Sequence, residues 1–163
     1  MRPSDFSELM NRFYTMATDV MVKTDALIDK LVGDEVIGLY LPGWAGPYHA
    51  RLAMQAAQEL LRVTGHGDKG GPWLPVGVGV HTGIAFVGTV SGIAGTVMDI
   101  TALGDNVNIA ARLASKARSG EALISDAAYT AAGLHLGDLE QRQLELKGKN
   151  VPIGVRVLRV SAG

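Results

Sequence analysis

Cysteine is absent from the 163 residues, which excludes disulfides, thiolate zinc sites, iron–sulfur clusters and a cysteine nucleophile. Charge of one sign is missing too: 15 Lys and Arg stand against 16 Asp and Glu, a formal net charge of −1. Without a global basic field, general nucleic-acid binding and adhesion to anionic membranes lose their electrostatic support, so any anion site must be built locally. No apolar run approaches the roughly 18 to 20 residues that a bilayer requires. The opening Met1-Arg2-Pro3-Ser4-Asp5-Phe6 lacks the charged-then-apolar order of a secretory signal. The expectation is a cytoplasmic protein with no membrane segment and no nucleic-acid partner. What is abundant is apolar surface and glycine: 47% hydrophobic residues and 21 glycines predict one packed domain with many tight turns or close backbone approaches.

Apolar spacing at Phe6, Leu9, Met10, Phe13, Met16, Ala17 and Val20 predicts a helix to about Val22, with Ser4 or Asp5 as its N-cap. Residues 26–32 and 35–41 read as two strands around Gly33-Asp34, a hairpin signal. Pro42-Gly43 breaks the second strand. A helix over about 47–64 follows, with Ala50, Leu52, Ala53, Ala56, Ala57, Leu60 and Leu61 inward, and then a glycine-rich loop over 65–72. Residues 76–90 suit a buried strand or strand pair, 91–96 a glycine-rich connection and 97–103 another strand. A helix over about 105–117 precedes a short strand at 122–125, after which Asp126 caps a small helix. Segments 139–146 and 151–160 form a last pair around Lys147-Gly148-Lys149-Asn150. This alternation predicts an α+β fold with helices on one face of a largely antiparallel sheet.

Four stretches could carry chemistry. Asp34, at a hairpin tip, holds a carboxylate rigidly enough for Mg²⁺, which takes one or two carboxylates and leaves its other positions to phosphate and water; it could equally be a plain turn former. Asn108 and Arg112 lie four apart at a helix start and share a face. There an amide can orient a hydroxyl, and a guanidinium can grip a phosphate in two places beside a favourable helix end. The bland alternative is a polar first turn with a solvated Arg. Lys147 and Lys149 flank Gly148 and can meet a polyphosphate as mobile point charges, or merely solvate a turn. Lys30 sits inside an apolar strand, where its ammonium must reach water or a partner. The glycines of Gly77-Val78-Gly79-Val80-His81-Thr82-Gly83 lie within a strand, not at a strand-to-helix turn. They therefore fail the dinucleotide-fold test and leave an oxidoreductase reading weak. They are expected to let another backbone come close, with His81 in a core or interface role.

In order, Asp29-Lys30-Leu31-Val32-Gly33-Asp34-Glu35-Val36, Val78-Gly79-Val80-His81-Thr82-Gly83, the stretch from Thr101 through Leu103-Gly104-Asp105-Asn106-Val107-Asn108 to Arg112-Leu113, and Glu145-Leu146-Lys147-Gly148 resemble the class III adenylate/guanylate cyclase catalytic domain. Order and spacing agree from Phe6 to Val160. The resemblance implies a ferredoxin-like α+β fold and a head-to-tail dimer, homodimeric or with another cyclase domain, whose active sites lie between subunits. It implies conversion of ATP or GTP to the 3′,5′-cyclic nucleotide and pyrophosphate, with two Mg²⁺ or Mn²⁺ ions as cofactors. By motif, Asp34 is the second of two metal-binding aspartates. Lys30 and Thr101 would read the purine, a pairing that looks like an adenylate-cyclase variant. Asn108 would orient the ribose, Arg112 would stabilise charge at the α-phosphate, and Lys147 would hold the terminal phosphates.

One family motif has no counterpart. The opening strand Phe-x-Asp-Ile-x-Gly-Phe-Thr, which carries the first metal aspartate and donors for the phosphates, does not occur in these residues. The expectation is therefore a single, incomplete cyclase domain over 1–163, very weak or inert alone. Glu35 cannot stand in, because neighbours on a strand point to opposite faces. Exposed strand edges and an oligomer or unusual dimer are expected with it. The other reading is a degenerate, non-catalytic module that dimerises or binds nucleotide.

Overall fold

The computed structural model describes the backbone of residues 2–32, 34–91 and 97–160, and the side chains of 2–28, 34–85 and 104–160. Helix α1 (Pro3–Lys23) starts two or three residues earlier than the caps predict: Pro3 occupies the first turn and Arg2 the cap, without a side-chain cap bond. A first-turn proline loses no helical hydrogen bond and presets φ, so neither Ser4 nor Asp5 is needed there. Asp5 instead lies in the first turn and pairs with Arg2 at 3.1 Å. Met10, Phe13, Ala17, Val20 and Met21 form the buried stripe of α1.

Strands β1 (Leu27–Val32) and β2 (Glu35–Leu39) pair antiparallel, Leu31 opposite Val36. Gly33 of the predicted turn lies outside the described residues, and Asp34 follows it in a turn conformation. Pro42 does more than break a strand, since it opens the one-turn helix α2 (Pro42–Ala45). Helix α3 (His49–Val63) buries Ala50, Met54, Ala56, Ala57, Leu60 and Leu61, whereas Leu52 is half-buried. Met54 replaces Leu52 in the inward set because 50, 54, 57 and 61 run straight along one stripe.

The predicted strand over 76–90 divides in two, β3 (Val78–Val80) and β4 (Phe86–Ser91), and the two join different sheets. Strand β4 pairs antiparallel with β5 (Val97–Leu103); the connection expected at 92–96 lies outside the described residues. Helix α4 (Asp105–Lys116), β6 (Ala122–Ser125), α5 (Asp126–Ala132), β7 (Glu140–Leu144) and β8 (Ile153–Leu158) complete the order. Ser125, not Asp126, caps α5: its Oγ accepts from Ala128 N–H at 3.2 Å. A four-stranded sheet runs β3-β6-β8-β7, parallel only between β3 and β6.

Helices cover both faces of that sheet, not one. Ala122 and Ile124 of β6 pack with Met54, Leu61, Ala128 and Ala132 of α3 and α5. Leu123 between them points the other way, onto Ile109 and Leu113 of α4 together with Val155 and Val157 of β8. The alternation of a strand with both faces apolar produces this. Glycine lets α4 sit so close: a Cβ on Gly79 would lie 2.5 Å from both Ala110 O and Ala114 N. The close backbone approach expected of these glycines is met by α4.

An ion cluster ties β6, β7 and β8 together at one end. Buried Glu121 accepts both Nη groups of Arg142, at 3.0 and 2.7 Å, and Nη2 of Arg159 at 2.7 Å. The Arg142 guanidinium holds the Glu121 carboxyl down at about 2, against the opposing effect of burial.

Candidate active site at the start of α4

Gly104 caps α4 with φ 127°, a conformation that disfavours any side chain, and no side chain caps the helix end. From this start Asn108 projects on the exposed side and Arg112, one turn later, is half-buried. Arg112 donates from Nη1 to the backbone carbonyl of Lys147. Gly148, in the left-handed region at φ 85°, turns the β7–β8 loop so that its α-carbon side faces that guanidinium; a Cβ there would lie 3.6 Å from Nη1. The lysines divide. Lys147 is exposed, whereas Lys149 donates to the Asp105 carboxylate at the start of α4. Sequence spacing could not show this meeting, since 35 residues separate Arg112 from Lys147.

A second network fixes the start of α4 to the sheet. Asn106 Nδ2 donates to Ile84 O at 2.7 Å, which leaves its Oδ1 to accept from His81 Nε2 at 2.9 Å. In the neutral ring Nδ1 then accepts from the Ser125 hydroxyl at 2.8 Å. Gly83 is needed here, because a Cβ on it would fall 2.3 Å from Asn106 Nδ2. His81, half-buried and outside the buried core, thus joins the start of α4 to β6. Asn106 and Ser125 were not singled out by sequence reasoning; the only local sign was an amide in the first turn after Gly104.

The remaining predicted residues lie elsewhere. Lys30 stands on β1 opposite Ile37 and Thr101 on β5 opposite Gly88; their side chains lie outside the described residues. The backbones of β1 and β5 run within contact distance, which puts the two strands carrying them side by side. Asp34 is exposed in its turn. Among the described residues, no three acidic or histidine side chains come together. Two ions bound by shared carboxylates do not fit the one aspartate that stands there among the described residues.

The family profile described as "Adenylate and Guanylate cyclase catalytic domain" matches residues 2–157, and the chain belongs to that family. An adenylate cyclase from Anabaena cylindrica is 31% identical over 117 residues, which cover 69% of this chain and 23% of that protein. The chain spans under a third of the length of the curated relatives it matches. The solved guanylyl cyclase Cya2 superposes with a TM-score of 0.82 at 23% identity, covering 100% of this chain and 84% of the other. The adenylyl cyclase CyaB from P. aeruginosa gives 0.73 at 24%, covering 98% and 85%. These likenesses establish the mixed α+β cyclase fold. No helix among the described residues is long and apolar enough to cross a membrane.

Proposed function

We propose that this chain supplies the purine- and phosphate-gripping half of a shared cyclase pocket, and completes an active site with a second cyclase domain that brings the metal carboxylates. The substrate would be ATP and the products 3′,5′-cyclic AMP and pyrophosphate. Lys30 and Thr101 would contact the purine, Asn108 would position the ribose, and Arg112 would meet charge developing at the α-phosphate. Lys147, free of the ion pair that engages Lys149, would hold the terminal phosphates. The observation that carries this reading is the Arg112–Lys147 junction: a half-buried guanidinium bonded to the backbone of an exposed lysine, one helical turn from an exposed amide. A fixed fork next to an uncapped helix start suits a developing phosphoryl charge. Asp34 adds one carboxylate, so an Mg²⁺ or Mn²⁺ ion would need phosphate oxygens and partner carboxylates to fill its shell.

The test mixes the purified chain with an intact cyclase domain whose own Lys, Asn and Arg positions are mutated, and follows cyclic AMP from ATP with Mn²⁺ present. Recovered synthesis that Arg112→Ala abolishes supports the proposal. No recovery, with heterodimer formation shown by sedimentation, overturns it in favour of a non-catalytic module.

A further inference from the structure

Packing fixes the later turns of α4 but not its first. Ile109 and Leu113 are buried, and a Cβ on Gly77 would already lie 2.9 Å from Ala117 Cβ. At the start, Gly104 offers no side-chain cap, and the first bond within the helix, Asn108 N–H to Gly104 O, is long at 3.3 Å. What holds this turn is a relay that begins at another helix. The buried Ser125 hydroxyl accepts from Ala128 N–H of α5 at 3.2 Å and gives its single proton to His81 Nδ1 at 2.8 Å. His81 Nε2 then donates to Asn106 Oδ1 at 2.9 Å, and Asn106 Nδ2 donates to Ile84 O at 2.7 Å. Both ends demand the same proton order, since a carbonyl can only accept and the hydroxyl has one hydrogen to give. Each helical residue turns the chain by about 100°, so Asn108 stands about 200° and Arg112 about 240° around the axis from Asn106. Pinning Asn106 to the sheet therefore presents the other two on the far side of α4.

We infer that Ser125, His81 and Asn106 are positioning residues for the proposed reaction: their relay sets the aim of Asn108 on the ribose. The inference rests on the proposed function and deepens it, because none of the three is asked to touch ATP. Arg112 depends on the relay far less. It has its own tether to Lys147 O and lies beyond buried Ile109, so a loosened first turn misplaces the amide and leaves the guanidinium where it is. A reacting group displaced by about 1 Å loses roughly 100-fold in rate, whereas the grip on the phosphates is untouched. The relay therefore acts on turnover more than on ATP binding.

Two variants at His81 test this. His81→Leu removes the donor, whereas the amide nitrogen of His81→Gln stands as many bonds from Cβ as Nε2 does and still reaches Asn106. In the chain alone, followed by NMR, His81→Leu should quicken amide exchange at Asn108 and Ile109 by about two- to tenfold, the weight of one net hydrogen bond. Exchange at Leu113 should not change, and His81→Gln should stay near the parent. In the mixed-domain assay His81→Leu should lower kcat for cyclic AMP by about 10- to 100-fold with the KM for ATP unchanged, and His81→Gln should recover it. In an Asn108→Ala chain, His81→Leu should cost nothing more, since the relay works through Asn108. Asn106→Ala cuts the relay nearer the surface and should match His81→Leu in every reading, which keeps the test intact if the leucine chain does not fold. Additive losses with Asn108→Ala, an equal fall in both His81 variants, or unaltered exchange at Asn108 overturns this inference and leaves the proposed function standing. No synthesis with the unsubstituted chain overturns the proposed function and this inference with it.

Discussion

Replacing Gly79 with Ala adds one carbon where α4 leaves no room. The new Cβ would sit 2.5 Å from Ala110 O and Ala114 N and 2.9 Å from Leu113 Cβ. Ordinary contact starts near 3.4 Å, so α4 must withdraw by about 1 Å, and a gap of that size forfeits roughly a quarter to a half of each dispersion contact. Leu113 is fully buried against Leu123, Val155 and Val157. With about 50 contacts of about 0.15 kcal/mol, its loss alone is roughly 2 to 4 kcal/mol, at the upper end of what overpacking costs. Urea denaturation should show that loss, and the melting temperature should fall by about 6 to 12 °C for a chain of this length. Gly43→Ala is the matched control. Nothing lies within 4 Å of its Cβ position and its φ is not positive, so alanine in α2 should stabilise by about 0.5 kcal/mol. Opposite signs for the same chemical change isolate the packing of α4. If Gly79→Ala falls within about 0.5 kcal/mol of the parent, the close contact between α4 and β3 is refuted.

Acid should unfold the chain through Glu121. Its folded value, about 2, lies below the ordinary glutamate value of 4.5, so its stabilisation is full above the unfolded value and drains as pH falls toward 2, about 3 kcal/mol in all. Glu121→Gln should flatten stability against pH over that window, measured by urea titration at several pH values; an unchanged slope would count against the cluster. Arg112→Ala should cut cyclic AMP synthesis in the mixed-domain assay by roughly 100- to 1,000-fold, the weight of one preorganised charge, while the melting curve barely moves. Asn106→Ala removes the bonds to Ile84 O and His81 Nε2, the first exposed and the second part-buried, and should cost about 0.5 to 1.5 kcal/mol by urea denaturation. The nitrogen shifts of the His81 ring should report a changed tautomer population, and unchanged shifts would refute the assigned network.

Short-range pattern determined much of this protein: α1 from apolar spacing, the β1–β2 pair from two apolar runs around a turn, α4 from the polar stretch after Gly104, and the final pair around Lys147–Asn150. Each rests on residues within a turn or a strand of one another, where backbone geometry ties spacing to shape. The same local logic misjudged the helix caps, because Pro3 and Ser125 compete with neighbours that read as equally good starts. What faces what was decided only in three dimensions. Arg112 meets the carbonyl of Lys147, His81 joins Ser125 to Asn106, and Glu121 gathers Arg142 and Arg159. These partners lie 21 to 44 residues apart, and no spacing rule spans that distance, since chain reversals and sheet order bring them together. Strand order also set the helices on both faces and left β2 and β3 each with one strand neighbour among the described residues, because a strand's sequence states which of its faces are apolar but not which neighbour takes its hydrogen bonds.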